Sequence, residues 1–203
     1  MTDVDIKTHG SLRERKKART RASIREHALR LFRDQGYDAT TVEQIAAAAE
    51  VSPSTFFRYF PTKEDVVLRD NLDDRMFEAF ERQPPSMTPI AALRAAIREG
   101  ITTLTPAEWE EFREASALGQ AVPEVRARMM DELTRTIEAA VDALAKRTGR
   151  PRDDLAVRVW AGAVFGVIMA VMGRETYSEG NVDMRSFERI DEALALLEKG
   201  LPL

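Results

Sequence analysis

Apolar residues recur at helical spacing along almost the whole chain, and this periodicity constrains the fold more than any other feature. In the first predicted helix Ile24, Ala28 and Leu31 follow one another at intervals of three or four residues, with charged side chains on the opposite face. No stretch of four or more residues alternates between apolar and polar side chains as a half-buried strand does. We therefore predict an all-α protein with about nine helices, a three-helix head followed by a larger helical body.

Capping signals set the boundaries of two short helices in the head. Gly36 is predicted to end the first helix, since glycine adopts positive φ at little cost. The second helix begins after Thr40 or Thr41, each of which has a Glu or Gln three residues later. The third begins at Ser52, with Pro53 in its first turn, where a missing N–H costs nothing.

Composition excludes several classes of protein. The 203 residues include no cysteine, which rules out a disulfide framework, cysteine-ligated zinc and a thiol nucleophile. The N-terminus lacks the apolar segment of a secretory signal. The longest apolar run, Val159 to Met172, is shorter than the ~18–20 residues of a membrane span. We expect a cytoplasmic protein without a membrane partner.

Catalysis finds little support in the sequence. The two histidines, His9 and His27, lie in a tail and in the basic head, and no helix carries His and Glu at metal-ligand spacing. The chain has no phosphate-binding glycine loop and no nucleophile elbow. We predict no enzyme activity, no metal and no cofactor.

Charge is distributed unevenly along the chain. Residues 11–63 carry 11 Lys and Arg against 6 Asp and Glu, whereas residues 64–203 carry 18 basic and 26 acidic residues. A basic head on an acidic body suggests that one end meets a polyanion, although such charge also marks an ordinary solvated face.

The two short helices of the head are spaced as a helix-turn-helix. Ile45 and Ala46 form the inner face of the first helix, and Phe56 and Phe60 form that of the second. Hydroxyls at the start of the second helix can approach base edges, and Arg58 can reach a guanine or a phosphate. Helical pattern alone would also allow an ordinary corner of two helices.

The identities of the residues between Gly36 and Val67 favour a helix-turn-helix more strongly than the helical pattern alone does. The stretch GYDATTVEQIAAAAEVSPSTFFRYFPTKEDVV resembles the N-terminal domain of the TetR family of bacterial repressors, and the resemblance covers about residues 18–68. It implies that Thr41, Tyr59 and Lys63 contact phosphates, with Ser54, Thr55 and Arg58 at or near base edges. Two positions depart from the family: Phe57 stands where tyrosine is usual, and Glu50 stands where glycine is usual in the turn.

The resemblance also divides the chain into three parts. Residues 1–17 are predicted to be a flexible basic arm, residues 18–66 a DNA-binding domain, and residues 67–203 a ligand-binding and dimerisation domain. The basic residues before the first helix either form a solvated tail or contact the minor groove and phosphates. The DNA-binding candidates of the head are Thr41, Ser52, Pro53, Ser54, Thr55, Phe57, Arg58, Tyr59 and Lys63, and those of the arm are Arg13, Arg15, Lys16, Lys17, Arg19 and Arg21.

The last two helices are candidates for a homodimer interface, as the family resemblance implies, although both could be core of a monomer. The small residues Gly162 and Gly166 allow a second helix to approach closely. The interface candidates are Val164, Phe165, Ile168, Phe187, Ile190, Leu194 and Leu197.

A ligand pocket is expected within the body, where Met-rich walls would suit a flexible apolar ligand, although such residues are also common in a core. The lining candidates are Met76, Phe80, Leu93, Ile97, Trp109, Phe112, Met129, Met130, Leu133 and Trp160. The layout also resembles a subgroup with acyl-CoA-like ligands, for which Arg94, Arg98, Arg113, Arg126 and Arg128 are either head-group ligands or solvated.

The sequence thus predicts a ligand-responsive, dimeric transcriptional regulator of the repressor type that binds a palindromic operator. A small apolar or acyl-type effector would release it through the helix that begins at Lys63. A helical adaptor that does not bind DNA is the alternative.

Overall fold

A computed structural model of the chain describes residues 12–68, 72–179 and 182–201. The described residues are helical, joined by short turns and loops, and they form two compact units that meet between Val66 and Val67.

The first unit contains three helices and most of a fourth. Their bounds are α1 Leu12–Gln35, α2 Val42–Ala48, α3 Pro53–Tyr59 and α4 Lys63–Leu68. Ile24, Ile45 and Phe56 are fully buried, together with Ala28 and Phe60. The apolar faces predicted for the helix-turn-helix therefore do form its core, which holds α2 and α3 against α1.

Caps begin α2 and α3 where the sequence indicates. Thr41, rather than Thr40, caps α2, with its side chain accepting from the Gln44 N–H and the Gln44 side chain accepting from the Thr41 N–H. Thr40 is instead buried, and its hydroxyl donates to the Gly36 carbonyl over 2.7 Å. Ser52 caps α3 through the Thr55 N–H at 3.1 Å.

The second unit contains six helices among its described residues. Their bounds are α5 Leu72–Arg82, α6 Pro89–Thr102, α7 Pro106–Ala121, α8 Pro123–Thr148, α9 Leu155–Glu179 and α10 Met184–Glu198. One core cluster lies among α5, α6, α8 and α9, and a second lies among α6, α9 and α10. Trp160 of α9 packs against both clusters.

Arg147 fixes the turn between α5 and α6 from the end of α8. Its guanidinium donates to the carbonyls of Phe80, Gln83, Pro84 and Met87. It also lies 5.3 Å from the centroid of the Phe80 ring. This contact holds the end of α5, and with it one wall of the cavity described below.

The predicted N-terminal arm overlaps the described part of α1. The basic residues from Arg13 to Arg21 lie inside α1, and residues 1–11 of the arm lie outside the described residues. Arg and Lys are good helix formers, and Glu14 in the first turn faces the positive end of the helix dipole.

Candidate DNA-binding surface and effector cavity

The start of α3 presents hydroxyl groups to solvent. The Ser52 hydroxyl lies 2.9 Å from the hydroxyls of both Ser54 and Thr55, and it donates to Thr55 in one arrangement. Because the Thr55 oxygen then accepts, its own proton is left for an acceptor oxygen outside the helix. The cap of α3 therefore orients a hydroxyl that can read a base edge or bind a phosphate.

The exposed face of α3 carries the other candidates in that helix. Pro53, Ser54 and Arg58 are exposed, and Tyr59 is half-buried, with the Arg58 guanidinium 5.4 Å from its ring centroid. Phe57 is also exposed and makes an edge contact with the buried Phe56 ring. With no hydroxyl, Phe57 can offer a phosphate only an apolar contact.

Lys63 reaches back from α4 to the corner between α1 and α2. Its ammonium donates to the carbonyls of Tyr37 at 2.9 Å and Thr40 at 3.1 Å, and it lies 3.9 Å from the Tyr37 ring centroid. Two of its three N–H groups are thus used inside the unit, which leaves one for a phosphate. Lys63 also fixes the backbone next to the exposed Thr41.

Tyr37 and Glu64 complete this corner, and the sequence reasoning did not single out their pairing. The Tyr37 hydroxyl donates to a Glu64 carboxylate oxygen at 2.6 Å. Partial burial raises the pKa of Glu64, but hydrogen bonds from Tyr37, the backbone and Thr62, together with the nearby Lys63 charge, bring that pKa below its ordinary value. The carboxylate therefore stays charged beside Lys63 at neutral pH.

The basic residues predicted for the arm are displayed by α1. Arg13, Arg15, Lys16, Lys17 and Arg19 are exposed along the first turns of the helix. Arg21 is half-buried, and its guanidinium lies 5.5 Å from the centroid of the Phe60 ring. Helix α1 thus carries its positive charge in a fixed helical register rather than on a flexible chain.

Two of the cavities in the second unit are neighbours and share part of their walls. The inner cavity, of about 160 Å³, lies among α5, α6, α8 and α9, and the outer one, of about 340 Å³, lies among α7, α8 and α9. They share Asp73, Thr136, Phe165 and Ile168. Eight predicted pocket residues line them: Met76, Phe80, Leu93, Ile97 and Trp160 the inner one, and Met129, Met130 and Leu133 the outer one.

Trp109 and Phe112 are not among the residues that line these two cavities, and their place in a ligand pocket stays a prediction. Their rings stack at 5.8 Å, and both contact Phe187 of α10. Phe77, Phe165 and Gln120 line the cavities instead. Phe77 follows the predicted Met76, but helical spacing alone does not show whether a cavity or a neighbouring helix covers a given face.

Most of the arginines considered for an anionic head group are engaged in ion pairs. Arg94 binds Asp191 at 2.8 Å, and Arg98 lies 3.4 Å from the same carboxylate. Arg113 and Arg128 pair with acidic residues on their own helices. Among these five arginines only Arg126 lines the outer cavity.

Helix α9 leaves an apolar face uncovered. A window of 18 residues, Leu155–Met172, is long and apolar enough to cross a membrane by length and composition, and 17% of it is buried. The window includes the charged Arg158 and is therefore longer than the uninterrupted apolar run from Val159 to Met172. Leu155 is 77% exposed and Val159 59% exposed.

The uncovered face of α9 is not the one predicted for the dimer. Val164, Ile190 and Leu194 are buried within the chain, because α6 packs over them, and they cannot face a partner. Phe165, Ile168, Phe187 and Leu197 are partly buried against the core clusters, and their role at an interface stays a prediction. The exposed stripe follows the spacing 155, 159, 162, 166 and 169.

Both units match models of known protein families. A family model described as bacterial regulatory proteins, tetR family, matches residues 24–69. A second, described as MftR C-terminal domain, matches residues 87–202.

Three relatives extend this comparison. The transcriptional regulator TcmR of Streptomyces glaucescens is 35% identical over 86% of this chain and 80% of its own length. The transcriptional repressor LfrR of Mycolicibacterium smegmatis is 28% identical over 96% of each chain. The structure of Thermus thermophilus FadR, a TetR family transcriptional repressor in complex with lauroyl-CoA, covers 90% of this chain and 95% of its own with a TM-score of 0.55 and 26% identity.

These relatives are regulators of transcription, and the prediction that the chain is not an enzyme is confirmed. With matches across both of its units, the chain belongs to the TetR family of DNA-binding transcriptional regulators.

Proposed function

We propose that the chain is a cytoplasmic repressor that binds a palindromic operator as a homodimer and leaves it when a small apolar or acyl-type effector binds. The capped start of α3 carries this proposal, because Ser52 holds the Thr55 hydroxyl in place on an exposed helix face. Arg58, exposed one turn later, adds the charge that can reach a guanine or a phosphate.

Phosphate contacts would come from groups around α3. Thr41 is exposed at the start of α2, and its hydroxyl oxygen accepts from the Gln44 N–H, which leaves its proton for a phosphate oxygen. Lys63 supplies one further N–H, and the exposed basic residues of α1 supply charge. Phosphate contacts of this kind fix the register in which α3 meets the bases.

Two heads are needed because a single helix-turn-helix contacts only half of a palindromic site. The exposed stripe of α9, with Gly162 and Gly166 between larger apolar residues, supports pairing with a second copy. A Cβ placed at either glycine has no described atom within 4 Å apart from its local helical backbone, which leaves open space beside both glycines.

The effector would occupy the two cavities of the second unit, whose walls are mainly apolar. The FadR structure contains lauroyl-CoA, which supports an apolar ligand in a related fold. Helix α4 links the chain of the second unit to Lys63, so a ligand that prefers one arrangement of the unit can shift the affinity for DNA.

The test is retention of DNA over a salt series. Duplexes selected by the protein from a random pool are titrated by fluorescence anisotropy between ~50 and ~200 mM KCl, where each displaced phosphate contact contributes about −0.9 to the log–log slope. We expect a steep loss of affinity with salt. A shallow slope and no selected sequence would indicate an adaptor and overturn the proposal.

Variants in α3 separate base reading from phosphate binding. Arg58→Ala and Thr55→Val are expected to cost about 1–3 kcal/mol on the selected duplex and less on random duplexes, since base contacts carry specificity. Arg113→Ala, which removes a half-buried arginine from the second unit, is the matched control and should leave both affinities unchanged. Equal losses on both kinds of duplex would refute base reading by α3.

A further inference from the structure

Two residues that line the cavities each carry a buried hydrogen-bond donor without an acceptor among the described residues. The Trp160 indole nitrogen and the Gln120 amide nitrogen are buried and have no hydrogen-bond partner within the described part of the chain. Trp160 lines the inner cavity and Gln120 lines the outer one. A buried donor left unpaired is costly, and in a native protein it calls for a partner that is not part of the chain.

The surroundings of these donors are suited to an apolar molecule. Phe77, Phe80 and Phe165 form walls of the inner cavity, and the Phe80 and Trp160 rings lie 6.3 Å apart. Met129 and Met130 line the outer cavity, where their flexible side chains can adapt to different shapes. A molecule that spans both cavities would pass the four residues that they share.

Charged groups on the described cavity walls do not favour an anion. Asp73 and Glu132 are the acidic residues, the first accepting from Thr136 at 3.3 Å and the second from Arg135 at 2.8 Å. Arg126 is the basic one, and its guanidinium already donates to the Gln120 carbonyl. An anionic head group placed here would meet two carboxylates for one guanidinium.

We infer that the ligand of these cavities is an uncharged, mainly apolar molecule with two acceptor oxygens, such as ketone or quinone carbonyls, bound by Trp160 and Gln120. The inference rests on the proposed function, since it names the chemistry of the effector. It narrows that proposal by excluding acyl chains that carry an anionic head group. Each carbonyl gives one donor the acceptor that the protein does not provide.

The test compares two uncharged tricyclic probes of similar shape, anthraquinone with two carbonyl oxygens and anthracene with none. Equilibrium dialysis against the purified full chain measures both affinities. Because a tenfold change corresponds to one hydrogen bond of ordinary strength, we expect anthraquinone to bind about tenfold or more tightly than anthracene. Lauroyl-CoA should not displace it.

Three variants assign the discrimination to the two donors. Trp160→Phe keeps an aromatic wall without the N–H, and Gln120→Met keeps the side-chain length without the amide, so each should reduce the preference for anthraquinone. Trp109→Phe removes the other of the two tryptophans, which lies outside the cavities, and should leave the preference unchanged. Circular dichroism shows whether each variant is folded. If the Trp160 variant does not fold, the Gln120 variant alone tests the inference.

Several outcomes would overturn the inference: equal affinity for both probes, no binding of either, tighter binding of lauroyl-CoA, or a preference that persists in both donor variants. DNA binding is measured separately on the same protein. If the chain prefers anthraquinone but its affinity for DNA is the same with and without anthraquinone, the ligand chemistry is supported and the effector role is refuted. A chain that never binds DNA refutes the repressor function whatever the probes show.

Discussion

Glu50 adopts a left-handed backbone conformation in the turn between α2 and α3, with φ of 53°. A side chain in this region costs roughly 1–2 kcal/mol, because Cβ crowds the following carbonyl. The departure from the family's glycine therefore leaves the turn in place and stores strain in it. The Glu50 backbone N–H still bonds the Ala47 carbonyl at 3.1 Å.

Replacing Glu50 by glycine should relieve this strain. We expect Glu50→Gly to raise the free energy of unfolding by about 0.5–1 kcal/mol, since the relief exceeds the extra entropy of an unfolded glycine. Denaturant unfolding followed by circular dichroism measures the change. Glu50→Ala keeps Cβ and is the control that should give no gain; an equal gain from alanine would show that the carboxylate, not the backbone, carries the cost.

The Glu64 carboxylate makes the stability of the first unit depend on pH. The pKa of Glu64 is lower in the folded chain than its ordinary value of 4.5. The charged carboxylate therefore stabilises the fold at pH values above 4.5, and this stabilisation is lost as the pH falls through the lowered pKa of the folded chain. Tyr37→Phe removes a hydrogen bond to the charged form and should raise the Glu64 pKa. An NMR titration of the side-chain carboxyl carbon tests this, with Tyr59→Phe as the control. An unchanged pKa in Tyr37→Phe would contradict the role of the hydroxyl.

Single residues were predictable where a local rule applies. Gly36 and Gly149 take positive φ at helix ends, and Ser52 caps α3, each as its sequence context indicates. The choice between Thr40 and Thr41 was not predictable. It depends on burial of Thr40 against α1, a contact between residues that capping rules do not consider.

At the scale of elements, the Lys63 side chain contributes to the contacts that tie α4 to the α1–α2 corner. Lys63→Met keeps the apolar stem and removes the ammonium, so the carbonyls of Tyr37 and Thr40 lose a charged donor. We expect about 1–2 kcal/mol lower stability and weaker binding to selected and random duplexes alike. Denaturant unfolding and anisotropy measure the two effects.

Lys17→Met serves as the comparison for Lys63→Met. Lys17 is exposed on α1, so its loss should weaken DNA binding through charge and leave the stability unchanged. A Lys63 variant that loses stability but keeps full affinity for DNA would contradict a phosphate contact and leave Lys63 with a positioning role alone.

Helix boundaries were predicted better than helix surroundings. Thr105 begins α7 with a capping box and Pro123 begins α8, as the sequence indicates. The faces of α9 and α10 were assigned less well, since both helices repeat apolar residues at spacings that fit either a core or an interface. The faces of α9 and α10 that are buried are those that α6 packs against, and the sequences of α9 and α10 alone do not show where α6 lies.

At the scale of the whole molecule, the exposed stripe of α9 predicts how two copies meet. Gly162→Leu should prevent close approach of a second helix and give a monomer in sedimentation equilibrium. The monomer should remain folded, because a Cβ at residue 162 points into space where no described residue outside its own helical backbone lies within 4 Å. Affinity for a palindromic duplex should fall with the dimer.

Ala139→Leu is the control for this change. Ala139 is exposed on α8, away from the stripe, so the added apolar side chain should leave the dimer intact. A Gly162→Leu variant that stays dimeric would move the interface away from α9.

In the proposed homodimer, the exposed apolar residues of the α9 window would be buried only in the pair. The melting temperature should therefore rise with protein concentration, as it does whenever association favours the native state. For the proposed dimeric repressor, a cell with few copies would hold mostly separated protomers, so expression level would itself set the strength of repression.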